Sequence, residues 1–229
     1  MGNRITLILS VALLTMGAAH ATERESLKKF YKALGLDKWD QKAGWLTDAP
    51  LDDWYGVEVV GGHVVGLELP DNGLVGELPD ALATLDRLSA LDLRWNRVTG
   101  SIPASLGGLA SLETVLLSGN QLTGSIPPSL GLLSRLERMD LSYNALTGEV
   151  PRTFGELSSL QSIGLQHNRL SGSIPPGMGN IGTLQRVIVN NNDLYGSVPP
   201  GFGEIDGLRL NIADNPIDRR GMDSVRDDV

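Results

Sequence analysis

The sequence predicts an α/β solenoid, in which one short unit repeats along the chain and stacks its strands into a parallel sheet. Closely similar segments begin at Leu91, Val115, Met139, Ile163 and Val187, so that successive starts lie 24 residues apart. Each segment alternates apolar and polar residues, and each carries an asparagine at the same register. Regular self-similarity of this length is typical of a solenoid, because each unit buries its apolar side against its neighbours.

The alternating pattern at the start of each repeat predicts a strand. Leu91 and Leu93 are apolar, whereas Asp92 and Arg94 are charged. A pattern that repeats every two residues puts alternate side chains on opposite faces of a strand. We therefore expect the leucines to point into the core and the charged residues to point outward.

An asparagine follows each predicted strand. A buried asparagine can satisfy backbone groups that a bend leaves unpaired, and an unsatisfied buried polar group costs about 1–3 kcal/mol. We interpret these residues as a structural ladder. Its members are Asn72, Asn96, Asn120, Asn144, Asn168, Asn192 and, after a one-residue contraction, Asn215.

The second half of each repeat predicts a turn and then a short helical segment. In the stretch LTGSIPPSLG, which begins at Leu122, Gly124 permits a turn and the prolines cannot donate a ladder hydrogen bond. The following PSLGLLSRL predicts a helical or 3₁₀ segment. Its core-facing residues are expected to be Leu130, Leu133 and Leu136.

The region before the repeats predicts a helical N-terminal cap. Apolar residues recur there at helical spacing, namely Leu27, Phe30, Tyr31 and Leu34. Three tryptophans follow before the first repeat. We expect the core of the cap to contain Trp39, Trp45 and Trp54.

These features divide the chain into four parts: a signal peptide at 1–21, the cap at 22–62, about six full repeats and a partial one at 63–215, and a polar tail or minimal cap at 216–229. The first part has a basic start, a short apolar run and small residues at its end, which is typical of a cleaved secretory signal. The alternative, an uncleaved anchor, is disfavoured because a membrane span needs about 20 apolar residues and this run is shorter. No later segment is apolar enough to span a membrane. We therefore expect a secreted or extracytoplasmic protein, at the cell surface or in a periplasm, with no membrane span in the mature chain.

Composition excludes several classes of function. The net charge of -8 at pH 7 disfavours nucleic-acid binding, because phosphate recognition needs a basic face. The chain contains no cysteine, so disulfides, thiolate metal sites and cysteine nucleophiles are all excluded. Stability is expected to come from packing.

The repeats resemble the plant-specific class of leucine-rich repeats, which includes the ectodomains of plant receptor kinases and the polygalacturonase-inhibiting proteins. The resemblance rests on LTGSIP and the strand motif before it, over roughly residues 64–215. It implies a right-handed superhelix with a concave parallel sheet, helical or 3₁₀ segments on the convex side and a second short strand near each LTGSIP motif. The cap departs from the plant pattern, because Asp52 and Val59 stand where two cysteines would be. In this respect it is similar to caps of secreted bacterial and protist proteins with plant-type repeats.

No group of residues predicts catalysis. Ser142, His167 and Asp140 could form a Ser-His-Asp arrangement, but no Gly-x-Ser-x-Gly motif accompanies them. The sequence contains neither a phosphate-binding loop nor a histidine-rich metal spacing. We therefore expect no catalytic residue, no cofactor and no metal.

The concave face is the predicted ligand-binding surface. Its outward positions vary from repeat to repeat and include tryptophan and tyrosine, which are enriched at interface hot spots. The predicted binding residues are Asp92, Arg94, Trp95, Glu113, Glu137, Arg138, Asp140, Tyr143, Gln166, His167, Arg186 and Asn190.

Three functions fit these observations. The first is a monomeric or weakly dimeric module that recognises an extracellular protein, peptide or glycan. The second is a structural or adhesive component of the cell envelope. The third is ice binding through a column of hydroxyls, which Val75 and Tyr195 interrupt. The members of that column are Thr99, Thr123, Thr147 and Ser171.

Overall fold

The computed structural model of the protein describes residues 21–218 and the backbone of the strand Arg226–Asp227. Residues 1–20, nearly all of the predicted signal peptide, lie outside the described residues. The repeats stack as the sequence predicts, with a parallel sheet, a row of 3₁₀ segments and a continuous leucine-rich core. The predicted solenoid fold is confirmed.

The main sheet has nine strands in the described part of the chain. Its first two strands form an antiparallel hairpin, and each later strand pairs in parallel with the one before it. Repeats pair at equivalent positions, so that Leu67, Leu91 and Val115 lie side by side. The strands are Val57–Val60, His63–Glu68, Ala90–Asp92, Thr114–Leu116, Arg138–Asp140, Ser162–Gly164, Arg186–Ile188, Arg209–Asn211 and Arg226–Asp227.

The core lies between this sheet and the 3₁₀ segments. Leu91 and Leu93 are fully buried, as the period-two pattern predicts, and so are Leu130, Leu133 and Leu136. None of the helices in residues 21–218 is long and apolar enough to cross a membrane. The 3₁₀ segments are Leu51–Asp53, Asp80–Thr84, Ala104–Gly108, Pro128–Leu132, Arg152–Glu156, Pro176–Asn180 and Pro200–Glu204.

Short second strands follow the main strands, as the resemblance implied. They pair in small parallel sheets, and two isolated bridges, Ser101 with Thr123 and Ser125 with Thr147, continue the pattern. The second strands are Val75–Glu77, Arg97–Thr99, Thr147–Glu149, Arg169–Gly172, Asp193–Leu194, Gly196–Ser197 and Ile217–Asp218.

The asparagines bind the backbone of neighbouring repeats. Asn96 Oδ1 accepts hydrogen bonds from the backbone N–H groups of Asn72 and Leu74, at 2.9 and 3.0 Å. Its amide group donates to the carbonyls of Leu69 and Leu93, at 2.8 and 3.0 Å. One side chain thus satisfies backbone groups in two repeats where the chain leaves the strand, which would otherwise be buried without partners.

The N-terminal cap is built around an aromatic cluster. A helix covers residues 21–33 and brings Phe30 and Tyr31 against Trp39 and Trp45, and Trp45 in turn packs against Trp54. Trp39, Trp45 and Trp54 are 3, 5 and 1% exposed. The rings of Tyr31 and Trp45 stack with centroids 5.4 Å apart, and those of Trp39 and Trp45 meet edge to face at 4.8 Å.

The first asparagine of the ladder joins this cap to the repeats. Asn72 Oδ1 accepts a hydrogen bond from the backbone N–H of Gln41, and the Asn72 amide donates to the Gln41 carbonyl. The cap therefore takes the place that a preceding repeat occupies elsewhere in the solenoid.

The C-terminal region, where the sequence predicted a polar tail or minimal cap over residues 216–229, adds strands to the solenoid. Ile217 is 8% exposed and pairs with Gly196 in a second-strand sheet. Arg226–Asp227 pairs with Arg209 and Leu210 at the end of the main sheet. Backbone pairing needs no apolar pattern, which explains why the polar sequence did not indicate it.

Candidate functional site

The candidate site is the surface formed by the outward side chains of the main sheet, residues 68–213, and the turns that follow its strands. We call it the strand face. The predicted binding residues lie on it in three zones. Arg138 and Arg186 occupy the edge where strands begin, Asp92 and Asp140 lie at the centre, and Trp95 lies in a turn at the other edge.

The residues before the asparagines lie in turns with left-handed backbone rather than on the strands. Trp95, Tyr143 and His167 have φ angles of 58, 53 and 55°. The sequence placed them on the exposed side of the sheet, but the strands end earlier, at Asp92, Asp140 and Gly164. The left-handed turn recurs at this register in every repeat, because the chain bends there.

Bulky residues in this turn carry a cost. A left-handed conformation favours glycine, asparagine and aspartate, and a bulky side chain there is an outlier. Other repeats use tolerant residues at the same register, including Asp71, Gly119 and Asn191. Trp95 and Tyr143 break this rule and are also 56 and 45% exposed. They are neither required by the turn nor buried by the core.

The aromatic side chains form one row along the strand face. The ring centroids of Trp95 and Tyr143 are 5.9 Å apart, although the two residues belong to alternate repeats. The rings of Tyr143 and His167 stack at 4.3 Å with 18° between their planes. The intervening residue is Gly119, whose missing side chain leaves room for the Trp95 indole. We call Trp95, Tyr143 and His167 the aromatic row.

The opposite edge of the strand face is basic. Arg138, Arg186 and Arg209 are exposed and occupy the same position in their strands. None of them forms an ion pair among the residues that the structure describes, where the ion pairs join Lys28 to Glu25, His63 to Glu23 and Arg94 to Asp92. Sequence reasoning missed Arg209, because the last repeat is contracted by one residue.

Arg94 is held differently. Its Nε donates to Asp92 Oδ1 at 2.9 Å and its terminal nitrogen donates to Asp92 Oδ2 at 2.7 Å. These hydrogen bonds raise the pKa of Arg94 above its ordinary value, against the opposing effect of partial burial. Asp92 is only 8% exposed, so this pair fixes the shape of the strand face and offers little free charge to a ligand.

A cleft of about 200 Å³ lies between these zones. Arg138 and Arg186 line one side, and the apolar side chains of Leu116 and Ile188 contribute to its wall. Gln166 also lines the cleft, and its Oε1 atom is buried without a hydrogen-bond partner among the described residues. A buried acceptor of this kind is costly unless a donor reaches it.

Asp140 brings a second oxygen to the same place. A Cβ atom added to Gly164 would lie 2.9 Å from Asp140 Oδ1 and 3.2 Å from Gln166 Oε1. Both oxygens therefore converge above the bare backbone of Gly164. The cleft presents acceptors at its floor and guanidinium donors at its rim.

The structure does not arrange Ser142, His167 and Asp140 as a catalytic triad. Ser142 is 1% exposed, and its hydroxyl donates to Asp140 Oδ1 at 2.6 Å. The His167 ring stacks on Tyr143 instead of accepting a proton from Ser142. A serine nucleophile needs the opposite arrangement, with its hydroxyl hydrogen-bonded to the imidazole.

The predicted acidic residues Glu113 and Glu137 are exposed at the edge where strands begin. The carbonyl of Glu113 accepts hydrogen bonds from the backbone N–H groups of Glu137 and Arg138. Asn190, the last predicted binding residue, donates to Asn191 Oδ1 at 2.7 Å. These residues border the cleft and the aromatic row without entering either.

Known proteins share this architecture and its motifs. Leucine-rich-repeat family models match residues 87–109, 111–133 and 124–170. No curated protein sequence gives a significant match.

Solved structures provide closer comparisons. A chain of the BIR3–SERK2 complex from Arabidopsis thaliana is 30% identical with a TM-score of 0.60, and the match covers 74% of this chain and 93% of that one. A plant ice-binding protein is 29% identical with a TM-score of 0.79, covering 86% and 64%. The plant peptide hormone receptor RGFR1, solved with RGF2, is 32% identical with a TM-score of 0.64, covering 66% and 24%.

The chain thus spans about a quarter of RGFR1 and less than two thirds of the ice-binding protein. The family matches, the stacked strands and the similarity to plant ectodomains agree with one another. The chain belongs to the leucine-rich-repeat proteins, and its repeats are of the plant type.

Proposed function

We propose that this protein is a secreted, non-catalytic binding module that recognises a peptide or a peptide segment of a protein through the strand face. The observation that carries the proposal is the aromatic row. Trp95 and Tyr143 stay exposed in a left-handed turn that tolerates them poorly. A side chain kept in an unfavourable conformation without burial points to a role outside the fold.

The chemistry of the cleft supports a peptide as ligand. Gln166 Oε1 and the Asp140 carboxylate can accept hydrogen bonds from backbone N–H groups, while Arg138 and Arg186 can donate to carbonyls or carboxylates. A peptide carries both kinds of group at regular spacing, and its side chains can pack against exposed aromatic rings.

Structural relatives support the same class of ligand. RGFR1 is described as a plant peptide hormone receptor, and HAESA from Arabidopsis was solved with the peptide hormone IDA and the co-receptor SERK1. The HAESA chain is 28% identical over 85% of this chain, with a TM-score of 0.74. This chain covers 38% of HAESA.

Selection from a random peptide library tests the proposal. The library is displayed on phage and selected on the immobilised protein, and enriched peptides are synthesised with a fluorescent label. The triple variant Trp95→Ala, Tyr143→Ala and Arg138→Ala is then compared with wild type by fluorescence anisotropy. We expect the triple variant to bind the enriched peptides at least tenfold more weakly, about 1.4 kcal/mol.

A matched variant controls for the loss of aromatic and basic surface. Tyr55→Ala, Tyr195→Ala and Arg152→Ala remove exposed side chains of similar kinds outside the strand face. This variant should retain wild-type affinity. Equal affinity of wild type and the strand-face variant would refute the proposal. Failure to enrich any peptide, together with retention in the envelope fraction, would favour a structural or adhesive role.

Ice binding is a second candidate, because a plant ice-binding protein is 29% identical over 86% of this chain. An exposed patch of four hydroxyls lies at the second strands, where Ser101 bridges to Thr123 and Ser125 to Thr147. Ordered hydroxyls on a rigid surface can organise water. The patch is short, because Glu77 and Glu149 interrupt it at either end.

Thermal hysteresis and inhibition of ice recrystallisation test this candidate. Activity that is lost in Thr123→Lys and Thr147→Lys, and retained in the strand-face triple variant, would establish it. Wild-type protein without either activity would eliminate it.

A further inference from the structure

Three potential metal ligands meet where the cap joins the first repeats. Glu23 lies in the cap helix, His63 opens the strand His63–Glu68, and Asp86 follows the 3₁₀ segment Asp80–Thr84. One ligand atom from each lies within 4.8 Å of the others. The sequence did not indicate this cluster, because 40 residues separate Glu23 from His63.

Glu23 is the unusual member, since it is a carboxylate with only 3% of its surface exposed. Its Oε1 atom lies 3.1 Å from His63 Nδ1, and its Oε2 atom accepts a hydrogen bond from the backbone N–H of Val64 at 3.3 Å. A buried carboxylate is costly unless a positive charge compensates it. Among the described residues, no lysine or arginine forms an ion pair with Glu23, whose ion-pair partner is His63.

We propose that Glu23, His63 and Asp86 bind a divalent transition metal of the zinc class. Imidazole nitrogen and carboxylate oxygen are ordinary zinc ligands at about 2.0–2.2 Å, and one histidine with two carboxylates leaves a fourth position for water. This proposal departs from the expectation from the sequence that the chain holds no metal.

The geometry needs only a small adjustment. Ligand atoms around a tetrahedral zinc ion lie about 3.4 Å apart. The Glu23 and His63 atoms, 3.1 Å apart, are already close to that spacing. Asp86 is exposed, so its carboxylate can complete the site by rotation of its side chain. The hydrogen bond from Val64 orients Glu23, as outer partners orient metal ligands generally.

A metal here would join three segments that no disulfide connects. The cap helix, the hairpin that joins the cap to the first repeat and the loop before strand Ala90–Asp92 would share one ion. The chain has no cysteine, and ligand binding to the folded state stabilises it by mass action. Glu23 follows the predicted cleavage point at Ala21, so it stays in the mature chain.

Calorimetric titration of chelator-treated protein with zinc sulfate tests the assignment. We expect one zinc ion per chain and a raised melting temperature. Asp86→Asn should weaken zinc binding at least tenfold, and His63→Gln should abolish it. Because Asp86 is exposed, its variant is expected to fold, which circular dichroism checks. X-ray absorption of the zinc-loaded wild type should show nitrogen and oxygen neighbours, including the signal of one imidazole.

Matched controls are His167→Gln and Asp206→Asn, which alter exposed residues of the same types elsewhere. Both should bind zinc as wild type does. Wild-type protein that takes up no zinc, or zinc binding that survives both Asp86→Asn and His63→Gln, would overturn the proposal. Loss of binding in His167→Gln would also overturn it, by assigning the metal to the strand face.

Discussion

The indole ring of Trp95 lies across Gly119, which belongs to the next repeat, and reaches towards Tyr143 in the repeat after that. A Cβ atom on Gly119 would overlap Trp95 Cε3 and lie 2.7 Å from Trp95 Cδ2. The ring centroids of Trp95 and Tyr143 are 5.9 Å apart. The absence of a side chain at one position therefore lets two aromatic residues meet across a whole repeat.

Replacement of Gly119 by alanine should separate the two rings. Gly119 has a φ of 68°, so alanine is also strained there, at about 1–2 kcal/mol. We expect the nuclear Overhauser contacts between Trp95 and Tyr143 to disappear in Gly119→Ala, because the new methyl group takes the place of the indole.

Gly61→Ala is the matched control for this change. Gly61 has a φ of 58° but no heavy atom within 4 Å of an added Cβ. Its variant should lose similar stability and keep the ring contacts. Persistence of those contacts in Gly119→Ala would show that Trp95 does not depend on the bare backbone.

Loss of one ladder asparagine should be strongly destabilising. Asn120 Oδ1 accepts from the Val98 N–H at 2.9 Å, and its amide donates to the Leu93 and Leu117 carbonyls at 2.9 and 3.1 Å. Asn120→Ala leaves these groups without partners in the core. We expect the free energy of unfolding in urea to fall by about 2–4 kcal/mol.

Asn190→Ala provides the comparison, because the Asn190 side chain is partly exposed and bonds only to Asn191 among the described residues. Its free energy of unfolding should change by less than about 0.5 kcal/mol. Equal losses in the two variants would contradict the structural role assigned to the ladder.

The tryptophans of the cap and the strand face should differ in their effects on stability. Trp54 is 1% exposed, and the Arg24 guanidinium lies 5.2 Å from its ring centroid. Trp54→Ala should cost about 3–5 kcal/mol, as large buried aromatic residues do. Trp95→Ala, with 56% of the residue exposed, should cost less than about 1 kcal/mol.

Thermal or urea unfolding measures the stability of both variants. In the peptide-binding assay the two variants should rank in the opposite order. Trp54→Ala should preserve the affinity of folded protein for selected peptides, and Trp95→Ala should weaken it. A large stability loss in Trp95→Ala would mean that the aromatic row serves the fold.

Stability should decline in alkaline solution because of Tyr31. Burial in the cap raises the pKa of its hydroxyl above the ordinary value of 10.0, and the charge of Asp37 adds to this effect. Above about pH 10 the unfolded chain loses this proton while the folded protein keeps it. The contribution of Tyr31 is therefore complete below pH 10 and is lost as pH rises towards the folded pKa.

Denaturation at a series of pH values, with Tyr31→Phe as the comparison, measures this contribution. Phenylalanine keeps the ring that stacks on Trp45 but has no proton to release. The wild type should lose stability more steeply than the variant above pH 10. Parallel pH dependences would contradict the assignment.

Local sequence patterns were enough to predict the solenoid. Leu91, Val115 and Met139 recur at a constant spacing, so each repeat makes the same contacts with its neighbours. The alternation of apolar and polar residues around Leu93 determines which side chains face the core. Such patterns act over a few residues or between adjacent repeats, so they can be read from the chain. The tryptophans of the cap were predictable for a similar reason, since large apolar residues beside a helix become buried.

The sites depend on contacts that no local pattern contains. The sequence indicated that Trp95 and Tyr143 share a register, but the ring contact depends on Gly119 and on a left-handed turn. Glu23 and His63 meet only because the cap helix packs against the hairpin. By itself, the sequence determined the repeat, the core and the register of the strand face, because burial follows periodicity. Only the tertiary structure decided which outward side chains meet, because that depends on turns and packing between distant segments.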